Sequence, residues 1–372
     1  MVQPRADHAT FRTLRPTGWR LVVNLLVLGG FAAAVILRRG DLGRAIDGLG
    51  DVTPGWIAVL GVMTLVRLLT QGMYTAAVTP GIGLVQGIAV HEVTTGANNT
   101  VVGSGLVSTG LRISMLRSWR TSDAVIGMTI VTLNVVAAYL VWLVAGAAAL
   151  TALLATSGVV ATPISVGVIA AAVAVLGCST GLWWLLLTSP RTARWLAQRG
   201  ERLVGIVRRH IKRLPSVDLV AHVERWRQDA GQILRTRRGR IAGTAMLNQV
   251  LVIATPICVV RAFGISGAEV TVAEAFSAYG LVRLAAALSP LPGGIGVTEL
   301  GLATLLIRFG GDDTRVFAAV LAYRMLTFVF PIITGAAAFL WWRRSPVHAR
   351  DRAKTQRAAD ALVAQSAAPL ID

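Results

Sequence analysis

The residues capable of chemistry are few in this chain, and they stand inside runs that are otherwise apolar. Glu299 follows the stretch Ser289-Pro290-Leu291-Pro292-Gly293-Gly294-Ile295-Gly296-Val297-Thr298, with Arg283 upstream of it and Arg324 downstream. The first half of the chain carries Arg67, the dipeptide His91-Glu92, Asn98-Asn99 and Arg112 in similar surroundings. Ionisable groups at membrane depth are costly, and they are found paired or facing a wet cavity that serves function. Guanidinium groups suit phosphate oxygens, which they hold through a planar fork of donors. A carboxylate in the first turn of a helix is favoured by the helix dipole. Glu299 therefore has two readings. It is a functional charge that balances an arginine or exchanges a proton, or it is a fixed salt bridge to Arg283 or Arg324 that holds its hairpin shut.

Metal and nucleotide chemistry find no support in the residue pattern. His91-Glu92 has no second histidine at ligand spacing, whereas metal sites take three or four ligands. Gly103-Ser104-Gly105 lacks the Gly-Lys-Ser/Thr of a phosphate-binding loop. Cys178 and Cys258 lie in apolar runs and form no CxxC pair. The expectation is no metal, no cofactor and no enzymatic activity. A membrane-embedded transferase would have to draw its base from His91, Glu92 or Glu299.

The elements that must position these residues are helices in a bilayer. The chain is 54% hydrophobic and 15% charged, with mean hydropathy +0.65, where a soluble domain carries about 25% charged residues. The formal net charge of +18 does not indicate nucleic acid, because the basic residues flank apolar spans and no zinc-finger spacing or aromatic ladder accompanies them. Positive-inside topology beside anionic lipid explains it.

Two prolines and three glycines between Pro290 and Gly296 cannot continue a helix. The run after them, Val297–Phe309, covers about 20 Å at 1.5 Å per residue, against a hydrocarbon core of ~30 Å. Glu269–Phe309 is therefore read as a re-entrant pair of half-helices. A second such pair is expected over 80–120, with its break at Asn98–Gly105. Full spans are expected at Trp19–Leu37, Pro54–Thr79, Ala124–Ala149, Pro163–Leu187, Ile241–Val260 and Val316–Trp342. Between residues 188 and 240 stand 14 basic residues and four acids, with Trp195, Leu196, Leu203, Val207, Ile211 and Leu214 near helical spacing, which is the pattern of a basic amphipathic connector.

The organisation expected is a cytoplasmic tail at 1–18, a first membrane half at 19–187, the connector at 188–240, a second half at 241–342 and a tail at 343–372. The basic segments 1–20, 112–120, 188–240 and 343–357 all fall on one side if there are six crossings, while 150–162, 264–268 and 310–314 hold no Lys or Arg. The fold class is thus an all-α polytopic membrane protein with six full transmembrane helices, two re-entrant half-helix pairs and an inverted repeat. It would sit in the plasma membrane with both termini cytoplasmic. In transporters, interrupted segments at corresponding positions of the two halves point to the binding site.

Pro290 to Glu299 resembles the Pro-Gly-Gly-x-Gly-x-x-Glu signature of the lysylphosphatidylglycerol synthase transmembrane region, also called flippase-like. Tyr323-Arg324-Met325-Leu326-Thr327-Phe328 with Pro331 and Gly335 is similar to that family's closing helix. The resemblance is strong over Ile241–Leu340. In the first half Asn98-Asn99 and Arg112 fit, while Val102-Gly103-Ser104-Gly105 stands where a proline is usual and the acid is absent. The resemblance implies a translocator of a phospholipid or lipid-linked headgroup between leaflets, without its own ATPase. Its substrate-binding set would be Glu299, Arg283, Arg324 and Arg112, the turn Pro292, Gly293, Gly294 and Gly296, and Asn98 and Asn99. Only 30 residues follow Trp342, so lysyl-lipid synthesis is not expected of this chain. The expected partners are an anionic phospholipid or a polyprenyl-linked lipid, with no nucleic acid. The competing reading is a non-transporting scaffold for a polyprenyl-lipid glycosyltransferase or another envelope-biosynthesis enzyme.

Overall fold

The computed structural model describes residues 52–100, 104–155, 162–189 and 219–345, together with positions 191, 195, 198 and 199. Every regular element among them is helical: α1 (Pro54–Val78), α2 (Leu84–Thr100), α3 (Ser104–Ser118), α4 (Asp123–Ala155), α5 (Thr162–Thr188), α6 (Leu219–Ala262), α7 (Val272–Leu288), α8 (Val297–Arg308), α9 (Asp313–Arg324) and α10 (Phe330–Arg344). A 3-10 turn, Pro292–Gly294, joins α7 to α8, and a π turn, Met325–Val329, joins α9 to α10. The expected span at 19–37, the tails at 1–18 and from 346 onward, the loop residues 101–103 and, in the amphipathic connector, positions 190, 192–194, 196–197 and 200–218 lie outside the described residues.

Among the described residues five stretches are long and apolar enough to cross a membrane: Pro54–Val78, Asp123–Ala155, Pro163–Gly181, Thr236–Ala262 and Asp313–Arg344. Large apolar side chains on them are left exposed, among them Ile57, Val62 and Leu65 on α1 and Leu143, Leu150 and Leu154 on α4. Water would penalise that surface and hydrocarbon does not. The chain is a multi-pass membrane protein. Helices α2, α3, α7 and α8 are shorter, 17, 15, 17 and 12 residues. At 1.5 Å per residue they reach about 18–26 Å, less than the ~30 Å core. They fold back as two hairpins, α2 on α3 and α7 on α8.

Each hairpin's first helix packs against the span that follows the other hairpin, α2 against α10 and α7 against α4. Small residues permit these approaches, as is usual where helices meet in lipid. A Cβ on Gly335 would stand 2.5 Å from Glu92 O, and one on Gly96 would stand 2.9 Å from Pro331 O. On the opposite side of α2, Gly87 passes the backbone of Gly72 in α1. Gly87 and Gly96 are two and a half turns apart at about 3.6 residues per turn, so they face opposite ways and α2 is wedged between α1 and α10.

Three expected boundaries change. The expected break at Asn98–Gly105 narrows: α2 stays helical through Thr100 and α3 begins at Ser104, with the Asn99 side chain partnered across the interface rather than competing for its own backbone. The span at Ile241–Val260 is the apolar end of α6, which begins at Leu219 and carries part of the basic connector as its polar extension. The closing span begins at Asp313, where the Asp312 side chain accepts the Arg315 N–H at 3.0 Å and caps α9. It continues through the π turn, just ahead of Pro331, which has no backbone N–H to donate.

Candidate functional site

The Pro-Gly-Gly turn is held between the two halves of the chain. Gly293 has φ +57°, a conformation that L side chains avoid. A Cβ there would also lie 2.6 Å from the Phe328 ring and 3.0 Å from Asn99 Oδ1. Asn99 Nδ2 in turn donates to Phe328 O at 3.2 Å. The tip of the first hairpin, the turn of the second and the π turn of the closing span therefore meet at Gly293.

Glu299 and Arg324 clasp this junction. Glu299 Oε2 accepts the Gly296 N–H at 2.7 Å and Glu299 Oε1 accepts Arg324 Nε at 2.7 Å. Arg324 Nη1 donates to Gly293 O at 3.1 Å, and its guanidinium lies over the Phe328 ring, 4.5 Å from the centroid. Arg324 is only 9% exposed, and its remaining nitrogen, Nη2, is buried with no partner among the described residues. Of the two readings of Glu299, the geometry contains the salt bridge, and the partner is Arg324.

Beside the clasp lies a cavity of about 360 Å³. Its cationic lining comes from three different elements: Arg67 from α1, Arg283 from α7 and Arg324 from α9. Arg283 Nη1 donates to the Tyr279 hydroxyl at 2.5 Å and makes no ion pair among the described residues. The Arg67 guanidinium makes neither a hydrogen bond nor an ion pair among them, while its backbone carbonyl accepts from the Thr70 hydroxyl. Three guanidinium groups face one carboxylate, a local excess of two positive charges. Buried charge is tolerated when a counter-charge compensates it. The vacant donors, on Arg67, Arg283 and Arg324 Nη2, are of the kind that take phosphate or carboxylate oxygens.

Of the residues expected at the site, Asn99, Arg283, Gly293 and Arg324 line the cavity, and Glu299, Pro292, Gly294 and Gly296 build the turn behind it. Asn98 is exposed and outside the lining. Arg112 is not brought to the cavity. Its Nη2 donates to Thr94 Oγ1 at 3.3 Å, and Thr94 leaves α2 about 140° around from Asn99 at ~100° per residue. The lining also includes Tyr279, Tyr323, Thr298 and Thr327, which sequence reasoning passed over. A faint signal existed: Tyr279 and Arg283 are four apart on α7, hence on one face. The same spacing relates Tyr323 and Thr327, whose hydroxyl donates to Tyr323 O at 2.7 Å. No group of three His, Cys, Asp or Glu residues stands together among the described residues.

Fold and site together define a multi-pass helical membrane protein with an arginine-lined cavity where two hairpins meet. Residues 21–335 match the lysylphosphatidylglycerol synthase TM region, and the chain belongs to that family. Searches of curated proteins and of solved structures give no match. The residues that carried the resemblance form the clasp: Glu299 and Arg324 with the glycine turn, while Pro331 and Gly335 lie at the approach to α2.

Proposed function

We propose that the protein translocates the anionic headgroup of a phospholipid or lipid-linked carrier between leaflets. The observation that carries this reading is the excess of two positive charges around a cavity lined from α1, α7 and α9, with Arg324 Nη2 unpartnered and Arg67 and Arg283 outside any ion pair among the described residues. A cavity of about 360 Å³ is within the range of small-ligand pockets and admits a phosphate-bearing headgroup while acyl chains remain in lipid. The reciprocal packing of α2 with α10 and of α7 with α4 supports an inverted repeat of three spans and one hairpin per half, the arrangement that places a transporter's site between its halves. In this reading the protein spans the plasma membrane six times with both termini in the cytoplasm.

Purified protein reconstituted in liposomes tests this directly. Transbilayer movement of labelled anionic lipid is expected to exceed that in empty vesicles and to exceed movement of a neutral lipid, and Arg283→Ala is expected to reduce it at least tenfold. A second reading is favoured by the clasp, which ties turn, hairpin and closing span into one body: a rigid scaffold for an envelope-lipid enzyme. Folded protein that moves no lipid but copurifies stoichiometrically with such an enzyme would decide for the scaffold.

A further inference from the structure

His91-Glu92 has no part in the cavity, yet Glu92 is only 4% exposed, at the crossing of α2 and α10. The Gly335 backbone passes directly over its carbonyl, and its carboxyl Oε2 is hydrogen-bonded with the Thr334 hydroxyl. The same hydroxyl lies 3.0 Å from Phe330 O, the back-bond a helical threonine makes to the preceding turn. A hydroxyl has one proton and two lone pairs. It cannot donate fully to both oxygens, and the Phe330 carbonyl has no proton to offer. With the threonine proton directed to Phe330 O, the proton between Thr334 and Glu92 belongs to the carboxyl.

Glu299 shows the contrast. Both of its partners, the Gly296 N–H and Arg324 Nε–H, are donors, as an ionised carboxylate requires. Glu92 has no basic side chain within ion-pair distance among the described residues. The charge that acts on Glu92 is Arg67 on α1; His91, beside it on α2, feels Arg67 and Arg112 of α3, and Arg112 feels Tyr74 of α1. From α10 it meets Thr334, and no charge stands on that helix before Arg343.

We infer that Glu92 is a proton-binding site: its carboxyl carries a proton at neutral pH, and that proton fastens the first hairpin to the closing span through Thr334. When the proton leaves to solvent, a bare carboxylate faces a hydroxyl already committed to Phe330 O. The nearest relief is Arg67, whose charge reaches Glu92 and which also lines the cavity. Proton occupancy at Glu92 thereby sets whether Arg67 is available to an anion. This last coupling rests on the translocator reading, and the proton itself does not.

Infrared spectroscopy of the full chain in lipid nanodiscs, in heavy water at neutral pH, tests the site. A protonated-carboxyl C=O band is expected that disappears in Glu92→Gln, shifts in Thr334→Val, and persists in Glu299→Gln. A native spectrum whose protonated-carboxyl region is altered by neither Glu92→Gln nor Thr334→Val overturns the inference, whatever the protein does to lipid. In liposomes, the acid dependence of anionic-lipid movement is expected to vanish in Glu92→Gln, and an unchanged dependence overturns the coupling to Arg67. If native protein moves no lipid at all, the translocator reading and the coupling both fall, and the infrared result alone decides the proton site.

Discussion

Arg324→Ala removes the centre of the clasp, and its consequence can be worked out from three contacts. The substitution abolishes the 2.7 Å pair with Glu299, the 3.1 Å bond to Gly293 O and the stacking on Phe328. The side chains of the pair are 10% and 25% exposed, so the carboxylate left behind keeps little water. Breaking a buried pair from one side costs about 3–5 kcal/mol. Glu299→Gln is milder, because the carboxamide still has one oxygen, but either the Gly296 N–H or Arg324 Nε then loses its acceptor; a bond to a charged group is worth about 1.5–3 kcal/mol. Removing both leaves no orphaned charge. The double variant should therefore be less destabilised than the sum of the singles by about 1–3 kcal/mol, within the range for contacting residues. The assay is chemical unfolding in mixed micelles, followed by circular dichroism for the four members of the cycle. Single-variant costs that add to within about 0.5 kcal/mol, the behaviour of independent sites, would refute the clasp.

Other outcomes follow from the same geometry. Gly335→Ala places a methyl 2.5 Å from Glu92 O and should cost about 1–3 kcal/mol as overpacking, whereas Gly61→Ala, with open space around its Cβ, should be stabilising by up to ~1 kcal/mol; comparing their thermal unfolding checks both. Outside the spans, Glu269 accepts the Ser266 N–H at 2.7 Å and pairs with Arg315 at 2.5 Å. The backbone donor first, and Arg315 after it, hold the Glu269 carboxyl below its ordinary range. The stability it contributes is therefore present above the ordinary carboxylate pKa and is lost as pH falls through the depressed folded value. Glu269→Gln should flatten the acid side of the unfolding-midpoint profile, and an unchanged profile would show that this loop does not feel the charge.

Much of the fold was legible because hydrocarbon imposes simple rules. Length and apolarity mark spans, and the glycines and prolines between Pro290 and Gly296 mark a break, because positive φ and missing donors are properties of those residues alone. The pairing of Glu299 with one of two arginines was legible as an alternative. Choosing Arg324 over Arg283 was not, since Arg283 is the nearer of the two along the chain and only the crossing of α8 with α9 selects the farther one. The first hairpin's break was legible only as the range Asn98–Gly105; that Asn99 stays inside α2, bonded to Phe328 O more than two hundred residues away, was not. Arg112 shares the charge of the cavity arginines, but its guanidinium reaches Thr94 on another face of α2 and is not part of the lining.

By itself the sequence determined that this chain lives in a membrane, where its backbone bends, and that the few charges within its apolar runs are mostly arginine. Those properties are local, fixed by side-chain transfer energies and backbone stereochemistry over a few residues. Only the tertiary structure decided which charges face one another, that Asn99 and Gly293 bring the hairpins together, and that the Thr334 hydroxyl spans Glu92 and Phe330 O. Contacts of that kind depend on helix rotation and crossing. These are set by where glycines let backbones approach across the whole chain, and no window of sequence contains both partners.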